Sequence, residues 1–442
     1  MINIKKRIII LGAAGRDYHN FLTYFKDNSL YDVICFTAAQ IPGIEKRTFP
    51  KELAGKLYKN DIPIYSEKNL PDLIKKFNID EVILAYSDLS HQEVMEKASV
   101  ALANGASFRL LGPNETMLKS NKKIISVCAV RTGAGKSQTS RSIGEILKKH
   151  NVRVVALRHS MPYNSNLMKQ VSERFSNLND LEKYETTIEE KEEYVPWIKK
   201  NIPVYAGVDY KKILKEAEKE AEIIIFDGGN NDWAFIKPDL KIVVADPLRA
   251  GHEISYYPGF VNFLMADVII INKIDSASKE DIKIVEDNIK KYNPKSTVIK
   301  AISEINADNP KLIKNKRVIL VEDGPTITHG GMKFGAATVA AKKYGAKEII
   351  NAKKYSVGSI KKTYEKYPHL EKELPAMGYS EEQIKDLQET INKAECDVVI
   401  DGSPSNLKNI LKINKPIVSI SYELDKKSIN KLESILKKRK FI

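Results

Sequence analysis

Residues 127–141 read VCAVRTGAGKSQTSR, an apolar run that enters a glycine loop and then Lys136-Ser137. Those residue types in that order bind nucleotide phosphates. Gly133 and Gly135, with Ala134 between them, let backbone N–H groups turn toward phosphate oxygens. Lys136 supplies a point charge for the β and γ phosphates, and Ser137 offers a hydroxyl to Mg²⁺. A helix starting near Gln138 adds the positive end of its dipole. Val130 stands where the usual GxxxxGK[ST] pattern has its first glycine, so the loop fits the variant [KR]xGxGK[ST] with Arg131 at its head. In the P-loop class that carries this variant the leading basic residue often reaches the γ-phosphate, in some members across a dimer interface. The forked donors of Arg131 suit that task.

Two further signals follow downstream. Residues 221–232 read AEIIIFDGGNND, an apolar strand ending in Asp227, the expected Mg²⁺ carboxylate, direct or through an intervening group. Asn230, Asn231 and Asp232 then occupy the loop at the carboxyl end of that strand, where open α/β sheets bind ligands, and are candidate substrate or water positioners. Residues 267–275 read DVIIINKID, in which Asn272 and Asp275 have the NKxD spacing that many GTPases use to grip guanine. Asn and Asp at a strand end also cap helices, so the motif is read as base recognition without fixing adenine or guanine.

These residues need a scaffold. Hydrophobic residues make up 43% and charged residues 29% of the 442, the balance of a soluble globular protein large enough for two or three domains. No apolar run approaches the ~18 residues of a membrane span. The start, KKRIIILGAAGRD, is interrupted too early for a secretory signal and reads as a first strand, so the cytoplasm is the expected location. Cys35, Cys128 and Cys396 are far apart in apolar runs, which suits reduced core positions, and the 7 histidines show no zinc spacing. Any metal is therefore expected to be Mg²⁺ held by oxygen. Abundant Lys and Glu with only 6 Gln hint at a hot environment. The net charge of +14 favours anionic partners, but it is diffuse and comes without an aromatic RNA-binding motif, so small phosphorylated metabolites are expected in preference to nucleic acid.

Alternating strand-like and helical stretches predict an α/β protein: a Rossmann-like parallel unit over 1–121, a P-loop NTPase domain over 122–315, and a C-terminal α/β segment over 316–442, either separate or continuous with the P-loop domain. Cations gather where strands end. Arg16 and His19 follow the first strand, Arg158 and His159 follow VRVVAL, Arg249 and His252 lie in DPLRAGHE, and His329 lies in THGGM. Such placement suits charge-assisted bonds to phosphate.

The combination GAAGRDYHNF (12–21), AVRTGAGKSQTSR (129–141), DGGNND (227–232), DPLRAGHE (246–253) and THGGM (328–332) resembles the archaeal cyclic 2,3-diphosphoglycerate synthetase family across essentially the whole chain. The resemblance implies ATP- and Mg²⁺-dependent closure of 2,3-diphosphoglycerate into a cyclic phosphoanhydride, with release of ADP and phosphate, and a product that accumulates in methanogens. It implies catalytic roles for Lys136, Arg131, Asp227, Arg249 and His252. Nucleotide binding falls to Gly133, Ala134, Gly135, Lys136, Ser137, Gln138, Asn272 and Asp275. Substrate binding falls to Arg16, His19, Arg109, Arg158, His159, Asn230, Asn231 and His329, with Ser137 and Asp227 at the metal. Neutralising roughly five negative charges on that substrate is the task of the arginines and histidines. A homodimer is expected by analogy with the variant P-loop class. The alternative is a GTP-driven switch or metallochaperone of the same class, which would leave the first 120 residues without a task.

Overall fold

The computed structural model describes residues 5–39, 47–159, 166–328, 330–376, 380–404 and 407–442, and three sheets organise them. The first runs in the order Thr48–Phe49, Ile62–Ser66, Tyr31–Ala38, Lys6–Leu11, Glu81–Leu84, Ser107–Leu110. All its pairings are parallel except the Thr48–Phe49 edge. Runs such as Ile8, Ile9 and Ile10 are buried on both faces, as a parallel strand covered by helices requires.

The second sheet has eight strands, in the order Glu173–Phe175, Val204–Ala206, Val154–Arg158, Ile223–Asp227, Lys123–Ala129, Leu240–Ala245, Val268–Ile271, Thr297–Lys300. Only its Glu173–Phe175 edge is antiparallel. Lys123–Ala129 lies near the centre, so its carboxyl end and the loop that follows sit between neighbouring strand ends.

The third sheet runs Ser303–Ala307, Ile417–Leu424, Val398–Asp401, Arg317–Asp323, Glu348–Ile349, with Leu374–Ala376 also paired to Arg317–Asp323. Its edge strand thus starts upstream of residue 316. The last helix, Lys426–Lys438, buries Leu432 and Leu436 in the core that includes Ile143 and Leu147 of the phosphate-loop helix. The last helix of the carboxyl-terminal segment is therefore packed into the core of the second unit. A short antiparallel pair, Leu89–Ser90 with Tyr256–Tyr257, ties the first unit to the second. Among the described residues, no helix is long and apolar enough to cross a membrane.

Candidate functional site

The loop after Lys123–Ala129 turns through Gly133 (φ 76°) and Gly135 (φ 114°), left-handed conformations that favour glycine, and the helix Lys136–Lys149 begins at once. A Cβ on Gly135 would lie 2.2 Å from Asn272 Nδ2. That amide donates to the carbonyl of Ala134 at 2.9 Å, and Lys273 Nζ donates to the carbonyl of Gly133 at 2.8 Å. The first two residues of NKID thus brace the phosphate loop from below. Asp275, expected at the base, stands exposed in the turn beyond. Gln138 is also spent on structure, accepting from Ser303 Oγ at 2.9 Å.

Lys136 is buried, and burial together with the nearby Arg158 charge pushes its ammonium down to about 8. Ser137 follows as the second residue of the helix. Asp227 lies behind them. It accepts from Ser140 Oγ at 2.8 Å and from the Trp197 indole at 3.3 Å. Both carboxylate oxygens are engaged one helical turn past Lys136, so Asp227 fits a place behind a cation better than direct ligation. Among the described residues no group of three or more His, Cys, Asp or Glu is placed to hold a metal ion.

The cations gathered by the sequence do converge on this loop, but not as free phosphate grips. Arg131 donates from Nε to Asp88 at 2.7 Å, meets His252 Nδ1 at 2.5 Å and stacks 3.6 Å over the Tyr256 ring. It is buried, with these donors directed at groups of its own chain. Burial, then the Arg131 charge, lowers His252 to about 4, so this imidazole is neutral. Arg249 donates to Asp246 at 2.8 Å and to two carbonyls, those of Thr132 and Gly330. Although burial pushes Asp246 upward, Lys273 and Arg249 hold it below the usual carboxylate range. Arg158 donates to Glu193 at 2.5 Å and to the Gly228 carbonyl at 2.5 Å.

Beside the loop, Arg16 donates from Nε to Asp232 at 2.7 Å across the seam between the first two sheets. His159 Nδ1 accepts from the Gly229 amide at 3.2 Å and lies 3.5 Å from Asp232. Asn231 accepts from the Asp88 amide at 2.8 Å and donates to Val130. Asn230, held at φ 40°, accepts from Thr132 Oγ1 at 3.2 Å.

Two expected substrate residues are engaged in packing instead. His19 is stacked 4.1 Å from Phe235, bonds the Thr116 carbonyl, and is lowered to about 3 by burial and then by Arg16, so it is a packed core imidazole. Arg109 pins Tyr24, Tyr31 and Glu115 together at the edge of the first sheet. His329 lies outside the described residues.

The carboxylates Asp88 and Glu193 and the ammonium of Lys273 complete the site and were not singled out from sequence. Asp88 had a signal, an Asp at the carboxyl end of the EVIL strand in the first unit. Asp88 and Lys273 adopt φ of 67° and 57°, strained for residues with a side chain and a mark of sites that the fold over-determines.

No protein-family model matches the sequence. Arginine synthetase ArcE of Thermococcus kodakarensis is 59% identical over 432 residues, 98% of this chain and 96% of that protein. Cyclic 2,3-diphosphoglycerate synthetase of Thermococcus sibiricus is 31% identical over 118 residues, 26% of each chain. The match to that synthetase, expected over the whole length, therefore spans about a quarter of it. LpxK of Aquifex aeolicus, solved with ATP, aligns with 84% of this chain and 99% of its own at 13% identity and a TM-score of 0.45. With a P-loop on a parallel α/β sheet and a full-length likeness of this strength, the chain belongs to the arginine synthetase ArcE family and is an ATP-dependent synthetase of the P-loop class.

Proposed function

We propose that this protein forms arginine at the expense of ATP. One observation carries the choice of product. Arg16 faces Asp232, Arg131 faces Asp88, Arg158 faces Glu193 and Arg249 faces Asp246. The charges expected to neutralise a substrate of roughly five negative charges are already neutralised within the chain. A site whose cations are matched by carboxylates suits a substrate of low net charge, and the full-length relative named for arginine supports the same reading.

The chemistry follows from the product. A guanidino group arises from a ureido group when its oxygen is replaced by nitrogen. The γ-phosphoryl group of ATP passes to the ureido oxygen as the bond to ADP breaks. Ammonia then adds to the activated carbon, and phosphate leaves with that oxygen, so that ADP, phosphate and the guanidino product balance the equation. Lys136 and the loop amides orient and neutralise the transferring phosphoryl group. Ser137 would hold Mg²⁺ with Asp227 behind it, and the bound ion would supply further charge neutralisation. Asn272 and Lys273 keep the loop in its phosphate-binding shape.

A second reading, closure of 2,3-diphosphoglycerate, draws on the partial likeness to that synthetase and on the arginine-rich loops, and it requires those arginines to leave their carboxylates. A GTP switch draws on NKID, whose Asn272 and Lys273 are engaged with the phosphate loop. Purified protein with Mg²⁺, ATP, ammonium and either citrulline or 2,3-diphosphoglycerate separates the readings. Arginine is expected only with citrulline; a cyclic diphosphoglycerate and no arginine would overturn the proposal.

A further inference from the structure

Four loops meet where the first sheet faces the second, each at the carboxyl end of a parallel strand. Arg16 follows Lys6–Leu11, Asp88 follows Glu81–Leu84, His159 follows Val154–Arg158, and Asp232 follows Ile223–Asp227. Asp232 sits at the centre, 2.7 Å from Arg16 Nε and 3.5 Å from His159 Nδ1. The Phe235 ring forms a common floor, 4.8 Å from the Arg16 guanidinium and 4.6 Å from the His159 ring. Asn231 ties Asp88 to the same loop.

Arg16, Asp88 and His159 each retain one buried polar atom without a partner: Nη1, Oδ2 and Nε2. Arg16 is 3% and His159 5% exposed, so water does not readily satisfy them. Buried polar atoms are normally paired, and three orphans in one seam point to a ligand that supplies the partners.

The chemistry of the three atoms defines that ligand. The Gly229 amide donates to His159 Nδ1, which places the proton of the neutral ring on Nε2 and makes that atom a donor. Arg16 Nη1 is a second donor. Asp88 Oδ2 is an acceptor. Two donors and one carboxylate match a carboxylate and an ammonium on one molecule. Asp88 Oδ1 accepts from Arg131 at the head of the phosphate loop, so the seam adjoins that loop.

We infer that this seam seats the acceptor substrate and that the acceptor is a zwitterionic α-amino acid, with Arg16 and His159 donating to its carboxylate and Asp88 accepting from its ammonium. The inference rests on the proposed arginine-forming reaction.

The test is calorimetric titration of the full-length protein with L-arginine and, separately, with MgADP. Arg16→Lys keeps a cation for Asp232 and removes the second arm of the fork. His159→Asn keeps an acceptor for Gly229 and removes the Nε2 donor together with the ring's contact to Phe235. Each variant is expected to bind L-arginine at least about tenfold more weakly, with MgADP affinity within about twofold of wild type. Wild-type arginine affinity in both variants would overturn the seat while leaving the proposed reaction intact. Parallel loss of MgADP in both variants would also overturn it, because the residues would then be holding the fold. A wild-type protein that ignores L-arginine and binds 2,3-diphosphoglycerate would overturn the substrate class, and with it the proposed function.

Discussion

Arg249 Nη1 donates to the carbonyl oxygen of Gly330 at 2.6 Å, and its Nη2 donates to Thr132 at 2.7 Å, so one side chain bolts the third unit's glycine turn to the phosphate loop. Sequence reasoning gives Arg249 to the substrate; its bonds give it to the shape of the nucleotide loop. Arg249→Ala is therefore expected to raise the KM for ATP by about tenfold, at least as much as that for the acceptor, with about 1–3 kcal/mol lost from stability. Steady-state kinetics with each substrate varied would show it. An effect confined to the acceptor would return Arg249 to the substrate side.

Gly135 carries a stricter requirement. Its φ of 114° and the 2.2 Å approach of Asn272 Nδ2 to any added Cβ leave no room for alanine without moving the loop. Gly135→Ala should abolish the thermal stabilisation that MgATP gives the wild type, at a cost of about 1–3 kcal/mol in the free protein. A normal ligand-induced shift in Tm would contradict the tight loop described here.

The NKID residues divide between bracing and exposure. Asn272→Ala removes the bond to Ala134 and is expected to weaken ATP and GTP alike by about tenfold. Asp275→Ala, at an exposed position, should leave the ATP-to-GTP preference within about a factor of two. A large switch in base preference on changing Asp275 would restore the guanine-gripping role.

The phosphate loop was legible because its chemistry is local: strand, glycines, lysine and helix are contiguous in residues 123–149. The α/β class was legible for the same reason, since apolar strand runs such as IIIF and VIII need no partner to be recognised. The pairing of charges was not. Arg16 meets Asp232 across 216 residues and Arg131 meets Asp88 across 43, and nothing in a linear motif says that a strand-end arginine already has its anion. His19 shows the opposite failure. Its position beside a glycine turn suggests an anion site, whereas Phe235 stacks on it in the core.

Burial, reinforced by the Asp232 charge and opposed by the Ala14 amide, lifts the Asp17 carboxyl from 3.8 to about 7. A raised folded-state value means that the folded protein favours the protonated acid. The contribution to stability is full below 3.8 and is lost as pH climbs toward about 7. Asn in its place does not titrate and keeps an acceptor for the Ala14 amide. The Tm of Asp17→Asn is thus expected to rise relative to wild type across that interval, as the variant gains about 1.4 kcal/mol of relative stability for each step of one in pH. A difference that stays flat with pH would mean that Asp17 ionises normally.

The most direct test of the central claim is ³¹P NMR of the full-length protein turning over Mg²⁺, ATP and ammonium with citrulline labelled by ¹⁸O in its ureido oxygen. Arginine formation through phosphoryl transfer predicts that the label appears in the released phosphate, one ¹⁸O for each arginine made. Unlabelled phosphate, or ATP hydrolysis with citrulline unchanged, would contradict it.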